Sequence, residues 1–384
     1  MKCPECGTEN PEGAEFCSEC GTKMPASQPS TEETKPVETK KRVTSPPPQS
    51  KGSGIGTKAI LIIIVAIVVV GAAAAFFLLP SIFNASPQAA TVLVAPAVSG
   101  AATITLDGQQ IPVTVDYYDK PFGTGSGFIV DQEGYIVTAA HVVADPIDLS
   151  YKQNIRKMED KDIKWYVAQA ALILYMQQYE PENLGQLTYE DLNTLTDAAY
   201  TTGVVTVEKA NYDIYIIGPA FPNSSTGEEN YLAQIIDFAA TDNQEKDLAL
   251  LKIEKPPANL PTVSISDQKP VTGDDIEIFG YPKEQLDFTE YIASAGNQKQ
   301  FLESVANATL TKGTVSGERT SPKGTTYFQT DAAVNHGNSG GPVINANNEV
   351  IGVLVLGAGN TGNYNFFLSS DYIIDLLKKN GIDT

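Results

Sequence analysis

The run Ala59–Leu79 is 21 residues long and carries no charge, opening Ala59-Ile60-Leu61-Ile62-Ile63-Ile64 and closing Phe76-Phe77-Leu78-Leu79. As a helix at ~1.5 Å per residue it spans ~31 Å, enough to cross the hydrocarbon core of a bilayer. It divides the chain into parts that meet different solvents, and every other element has to be consistent with that division. A cleavable signal has a shorter apolar stretch close to the N-terminus. The reading is therefore a retained transmembrane helix over 58–80, with a buried core helix as the weaker alternative. Lys35, Lys40, Lys41, Arg42, Lys51 and Lys58 precede the run, and no basic residue follows before Lys120. By the positive-inside rule the N-terminus lies in the cytoplasm and everything after the anchor lies outside it.

Cysteine usage gives the same topology by a separate route. All four cysteines, Cys3, Cys6, Cys17 and Cys20, precede the anchor, and none follows it. Two C-x2-C pairs, each followed by a glycine (Gly7, Gly21), have the spacing of one tetrahedral structural Zn2+ site. A segment as short as 1–24 cannot bury a core, so the metal would supply most of its folding free energy. Two disulfides are the weaker alternative, because thiolate ligands suit a reducing compartment. This zinc ribbon holds five glutamates against two lysines, which argues against nucleic acid. A structural role or the docking of a cytoplasmic protein remains. Residues 25–57 are rich in Pro, Ser, Thr, Glu and Lys, and read as a disordered linker. Acidic and basic residues balance at eight each over 1–58, so the whole formal charge of −20 belongs to the part beyond. Such a surface repels nucleic acid and anionic membranes and favours solubility.

The chemistry lies in that acidic part. Gly337-Asn338-Ser339-Gly340-Gly341-Pro342 sets a serine among glycines, and Thr138-Ala139-Ala140-His141 places a histidine about 200 residues earlier. A serine hydroxyl needs a neighbouring base to attack at neutral pH. The glycines permit a tight turn that aims N–H groups at a developing oxyanion. Only two histidines exist, His141 and His336, so the choice of base is narrow.

Four ordered blocks carry a resemblance: Gly123-Thr124-Gly125-Ser126-Gly127-Phe128-Ile129-Val130, Thr138–Val143, Asp247-Leu248-Ala249-Leu250-Leu251-Lys252-Ile253, and Gln329 through Pro342. Together they resemble the trypsin-like serine proteases, and within them the HtrA/Deg branch, over roughly 90–384. The resemblance implies a mainly β domain of two six-stranded barrels over 89–384, entered through a short linker at 81–88. It implies Ser339 as nucleophile, His141 as general base and then acid, and Asp247 as the residue orienting the imidazole. It implies the N–H groups of Gly337 and Ser339 as the oxyanion hole, and no cofactor for catalysis. Asp242 competes with Asp247, but Asp247 directly precedes the apolar run 248–253, which reads as a buried strand that would hold a carboxylate rigidly. His336 stands where the family usually has proline, and reads as a solvent-facing loop residue. Ala333 takes the position at the base of the primary specificity pocket. An uncharged residue there argues against cleavage after Lys or Arg and implies small or medium aliphatic residues. The implied substrates are exported or misfolded polypeptides. After the helix expected over 370–381 only three residues follow, so the PDZ domain common in the branch is not expected.

One region departs from the family. Some 105 residues separate His141 from Asp247, far more than usual, and the surplus lies at 150–202. Ile163, Tyr166, Val167, Ala170, Ala171, Leu174 and Tyr175 recur at helical spacing, and a second helix is expected over 188–199. Val204–Val207 and Ile214–Ile217 then read as strands returning to the barrel. The insertion reads as a helical hairpin packed on the barrel, with a lid or gate as the sharper alternative. For the whole chain, the competing class is a catalytically silent protease-fold binding or sensor protein linked to the zinc ribbon.

Overall fold

The computed structural model describes residues 86–118, 122–146, 155–222, 231–239, 246–282, 307–357 and 365–383. The zinc ribbon, linker and anchor expected before residue 81 lie outside them. Among the described residues no helix is long and apolar enough to cross a membrane.

After a single turn, α1 (Pro87–Ala90), the first strand shows how the domain is built. β1 (Thr91–Leu106) is buried at every residue from Thr91 to Val98, then alternates buried and half-buried as far as Thr105. A strand covered on both faces lies in a closed wall, whereas alternation marks a strand with one wet face. The first half of β1 accordingly pairs with β3 (Gly125–Ile129), Thr91 opposite Phe128. Its outer half runs beyond the barrel beside β2 (Gln109–Tyr118). Asp107 and Gly108, both at positive φ (51° and 79°), make the two-residue turn between them. That turn type matches the twist of the flanking strands.

The ring continues through β4 (Tyr135–Thr138), β7 (Ala249–Ile253), β6 (Leu232–Phe238) and β5 (Val205–Ile217). β5 pairs back onto β1 from Ile217↔Leu93 to Val205↔Ile104, closing a six-stranded barrel with β2 appended. The two short strands expected over 204–217 are therefore one continuous strand. The second barrel closes in the order β9 (Asp275–Gly280), β10 (Thr309–Thr320), β11 (Thr326–Thr330), β14 (Asn365–Ser369), β13 (Glu349–Gly357), β12 (Pro342–Ile344) and back to β9. A two-residue strand, β8 (Ser264–Ile265), adds to β13 in parallel. The expectation of a mainly β, double six-stranded barrel holds.

Two helices stand on the outer ribbon of the first barrel. α3 (Asp160–Tyr179) follows α2 (Ala140–Val143), starts with a Glu159/Asp162 capping box, and packs Tyr166, Val167, Ala170 and Ala171 against Val98, Ala102, Ile104 and Val115. After a short turn, α4 (Pro181–Leu184), comes α5 (Tyr189–Thr201), capped by Thr188 with Asp191. The apolar stripe expected for α3 needs one correction. Leu174 is exposed, while Ala168, Gln169, Leu172 and Ile173 are buried. The physical reason is α5, which covers part of the face a simple amphipathic helix would leave wet. Gln169 is buried between the layers, accepting from Tyr118 Oη (3.0 Å) and donating to Asn193 (2.8 Å). Trp165 Nε1 donates to Asp197 at 2.6 Å.

The last helix, α6 (Ser370–Lys379), buries Ile373, Leu376 and Leu377, and the chain turns off it at Gly381 (φ 72°). Lys379 Nζ and Asn380 Nδ2 both reach Asp237 Oδ2 on β6, at 2.7 and 3.1 Å. The C-terminal helix thus ties the second barrel back to the first.

Candidate active site

His141 sits on α2, a single turn entered from β4. Asp247, at the head of β7 next to β4, is 3 % exposed. It reaches the histidine segment three times. Its Oδ2 lies 2.6 Å from His141 Nδ1, its Oδ1 accepts the His141 backbone N–H at 2.8 Å, and its carbonyl accepts the Ala140 N–H at 3.2 Å. An ionised carboxylate can only accept, so Nδ1 carries the proton and Nε2 is left as the basic nitrogen. Burial opposes charge on this imidazole, but the charge and hydrogen bond of Asp247 outweigh it, and the pKa is raised above its ordinary value. Lys246, at φ 55°, turns the chain immediately before the acid. The alternative acid, Asp242, lies outside the described residues.

The Ser339 turn comes from the second barrel. Asn338 N–H donates to Asn335 O (3.2 Å), Gly341 N–H to Asn338 O (2.9 Å) and Gly340 N–H to Leu354 O (2.7 Å). Among the described residues, the N–H groups of Gly337 and Ser339 have no protein acceptor. Two donors left open, one two residues before a half-buried serine and one on the serine itself, are what an oxyanion would need. Gly337 and Gly340 adopt φ of 95° and 85°, a region that side chains disfavour. At Gly340 a Cβ would also overlap Ser126 O and Thr138 Oγ1.

Those two overlaps show how the turn is seated. It presses on β3 and on the end of β4, three residues before His141. Ser126 N–H donates to Ser339 O at 2.7 Å, and Ser126 Oγ donates to Gly337 O at 2.7 Å while accepting from Tyr281 N–H at 2.9 Å. Thr138 Oγ1 donates to Ser126 O at 2.6 Å. Ser126 was visible in the sequence only as part of a glycine-rich block. A lone hydroxyl between glycines in an otherwise apolar strand was the clue to its bridging position.

The remaining expected residues separate. Ala333 is exposed, whereas its neighbour Ala332 is buried against Gly313. His336 is exposed, as expected of a loop residue. Asp331, in the same block, accepts from Thr314 N–H at 2.6 Å, which holds its carboxyl below its ordinary value and pins the start of the loop to β10. The cysteines at 3, 6, 17 and 20 lie outside the described residues.

With this geometry in place, comparison with known proteins gives consistent results. A trypsin-like peptidase domain model matches residues 125–353, more than half of the chain, and a zinc-ribbon domain model matches residues 2–24. A probable periplasmic serine endoprotease DegP-like of Pseudomonas putida is 36 % identical over 144 residues, 35 % of this chain and 26 % of that protein. Serine protease Do-like HtrB of Bacillus subtilis is 38 % identical over 112 residues, 25 % of this chain and 23 % of that protein. Serine protease HTRA1 of Xenopus laevis is 29 % identical over 145 residues, 37 % and 27 % of the two chains. The chain thus spans about a quarter of the length of these relatives.

Proposed function

The chain belongs to the trypsin-like peptidase family, and from that premise we propose that it is a serine endopeptidase acting on polypeptides through Ser339, His141 and Asp247. The observation that supports this most is the double grip of Asp247 on His141, beside a Ser339 turn with two N–H groups that have no acceptor among the described residues. In this reading His141 Nε2 takes the Ser339 proton as Oγ attacks the scissile carbonyl. The N–H groups of Gly337 and Ser339 hold the tetrahedral oxyanion. His141 then returns the proton to the leaving amine, an acyl-enzyme remains, and water activated by His141 releases it. Asp247 keeps Nδ1 protonated and stabilises the imidazolium throughout.

For the whole chain the proposal is a membrane-anchored enzyme: a cytoplasmic zinc ribbon at 1–24, a linker at 25–57, an anchor at 58–80, and the peptidase beyond it outside the cytoplasm. Cys3, Cys6, Cys17 and Cys20 would hold a structural Zn2+, whose binding supplies folding free energy to the ribbon and nothing to catalysis. The acidic balance beyond the anchor fits a soluble exported domain. Exported or misfolded polypeptides are the proposed substrates, cleaved after small or medium aliphatic residues. The test is labelling of the full chain in detergent with a fluorophosphonate probe, beside Ser339→Ala and His141→Ala. Labelling of the parent and of neither variant supports the reading. A folded parent that does not label overturns it in favour of a silent binding or sensor protein.

A further inference from the structure

We propose that the helical insertion is a positioning scaffold for His141, acting through Arg156 and the buried Asp145 at the far end of the histidine's helix. The inference rests on the serine-protease reading above. α2 is four residues long, and one isolated turn cannot hold itself, because nucleation fixes several dihedrals for each bond gained. Its conformation has to be imposed at both ends. The N-terminal end is gripped by Asp247, through the N–H groups of Ala140 and His141 (3.2 and 2.8 Å).

The C-terminal end is gripped by the insertion. Asp145 N–H donates to Arg156 O at 3.0 Å, and Arg156 Nη2 returns to Asp145 Oδ2 at 2.7 Å. The other arm of the guanidinium, Nη1, reaches Asp162 Oδ2 in the first turn of α3 at 2.9 Å. Tyr166 Oη, one turn further along α3, donates to Asp145 Oδ1 at 3.5 Å. Tyr212 on β5 donates to Val143 O at 2.9 Å, and burial, with the charge of Asp145 adding, keeps that phenol protonated far above its ordinary range. Phe122 packs between Tyr166 and Tyr212, with ring centroids 5.1 and 5.6 Å away.

Asp145 is 1 % exposed, and breaking a buried ion pair by removing one partner is strongly unfavourable. Removing Arg156 therefore does more than delete a contact. It loosens the seat of Asp145, and Asp145 is four residues from His141. Arg156 is a positioning residue: it acts only by fixing where the imidazole stands.

The test uses the full chain with Arg156→Met and Arg156→Lys. Three quantities are read: the rate of fluorophosphonate labelling from pH 5 to 9, the downfield proton resonance of His141 Nδ1–H, and thermal unfolding. We expect Arg156→Met to slow labelling about 10–100-fold, the scale of a small misplacement of a catalytic group. The downfield proton should broaden or vanish, and the acid limb of the labelling profile should shift. Arg156→Lys, which keeps the charge and loses the fork, should recover part of the rate. A lower unfolding temperature with the parent's labelling profile and the parent's downfield proton would overturn the proposal and leave Arg156 a purely structural residue. If Arg156→Met does not fold, Arg156→Lys decides by the same two readouts. A parent that fails to label sinks the protease reading alone, because the proton resonance still reports whether the scaffold orients His141.

Discussion

The two barrels carry their halves of the site by different means. The first holds its residues with side chains: Asp247 grips His141 at Nδ1 and at the backbone, and Asp145 and Arg156 brace the same short helix from behind. The second holds Ser339 with main chain, through a run of backbone hydrogen bonds and two glycines at positive φ. The difference sets how each half should fail. A side-chain grip can be weakened in steps, because truncation leaves the backbone path intact. A turn held by main-chain geometry tolerates no Cβ where the path requires none. The first barrel also carries a separate apolar core, formed by α3 on the ribbon.

The largest effect should come from the acid. Asp247→Asn presents an amide to Nδ1 and favours the wrong tautomer, so labelling and turnover should drop about 10⁴-fold at neutral pH. The pH profile distinguishes this from unfolding. In the parent, labelling should fall as pH drops through a value above about 6.5, because a protonated imidazole cannot accept the serine proton. Without the carboxylate, burial is left to oppose the charge, so the limb should move to lower pH and the deficit should narrow in acid. An unmoved limb in Asp247→Asn would mean that this pair does not set the titration.

Gly340→Ala is the matching test of the second barrel. The added Cβ meets Ser126 O and Thr138 Oγ1 at a φ of 85°, with backbone on one side and a buried hydroxyl on the other. Labelling should drop about 10²-fold or more. The downfield His141 proton should persist, because the three atoms nearest the added Cβ, which include Ala139 N just before α2, belong to neither Asp247 nor His141. Loss of that proton would show that the two halves are not held independently.

What was legible in the sequence follows the same division. The Ser339 turn could be read because glycine and positive φ leave a compositional mark, and the two barrels were implied by the resemblance that the four ordered blocks carry. Asp247 could be ranked above Asp242 because an apolar run follows it. The support behind His141 was not legible. Arg156 and Asp145 meet through tertiary packing, with no periodicity to announce them. The burial of α3 beyond its apolar stripe depends on α5, a neighbour whose position no single-helix pattern records. The β1–β2 ribbon turns at Asp107-Gly108, a hairpin cue that lies outside the four blocks carrying the resemblance.

The smallest of these effects belongs to a side chain that crosses from the first barrel into the second. Ser126 lies on β3 yet donates to Gly337 O and accepts from the N–H of Tyr281, so it fixes the carbonyl next to one proposed oxyanion donor. Ser126→Ala removes both bonds without altering a backbone angle. Because Ser126 and Tyr281 are buried, the Tyr281 N–H is left unsatisfied, at a cost of about 1–3 kcal/mol in unfolding free energy. The Ser339 turn keeps its main-chain bonds and its glycines, so labelling should fall only about tenfold, the scale of one lost hydrogen bond near 1.4 kcal/mol. The His141 proton should be unchanged. A loss as large as that of Gly340→Ala would mean that the nucleophile turn depends on a side chain after all, and the contrast between the barrels would collapse. A loss in stability with the parent's labelling rate would instead make the bridge a clasp between barrels, leaving the turn to its backbone alone.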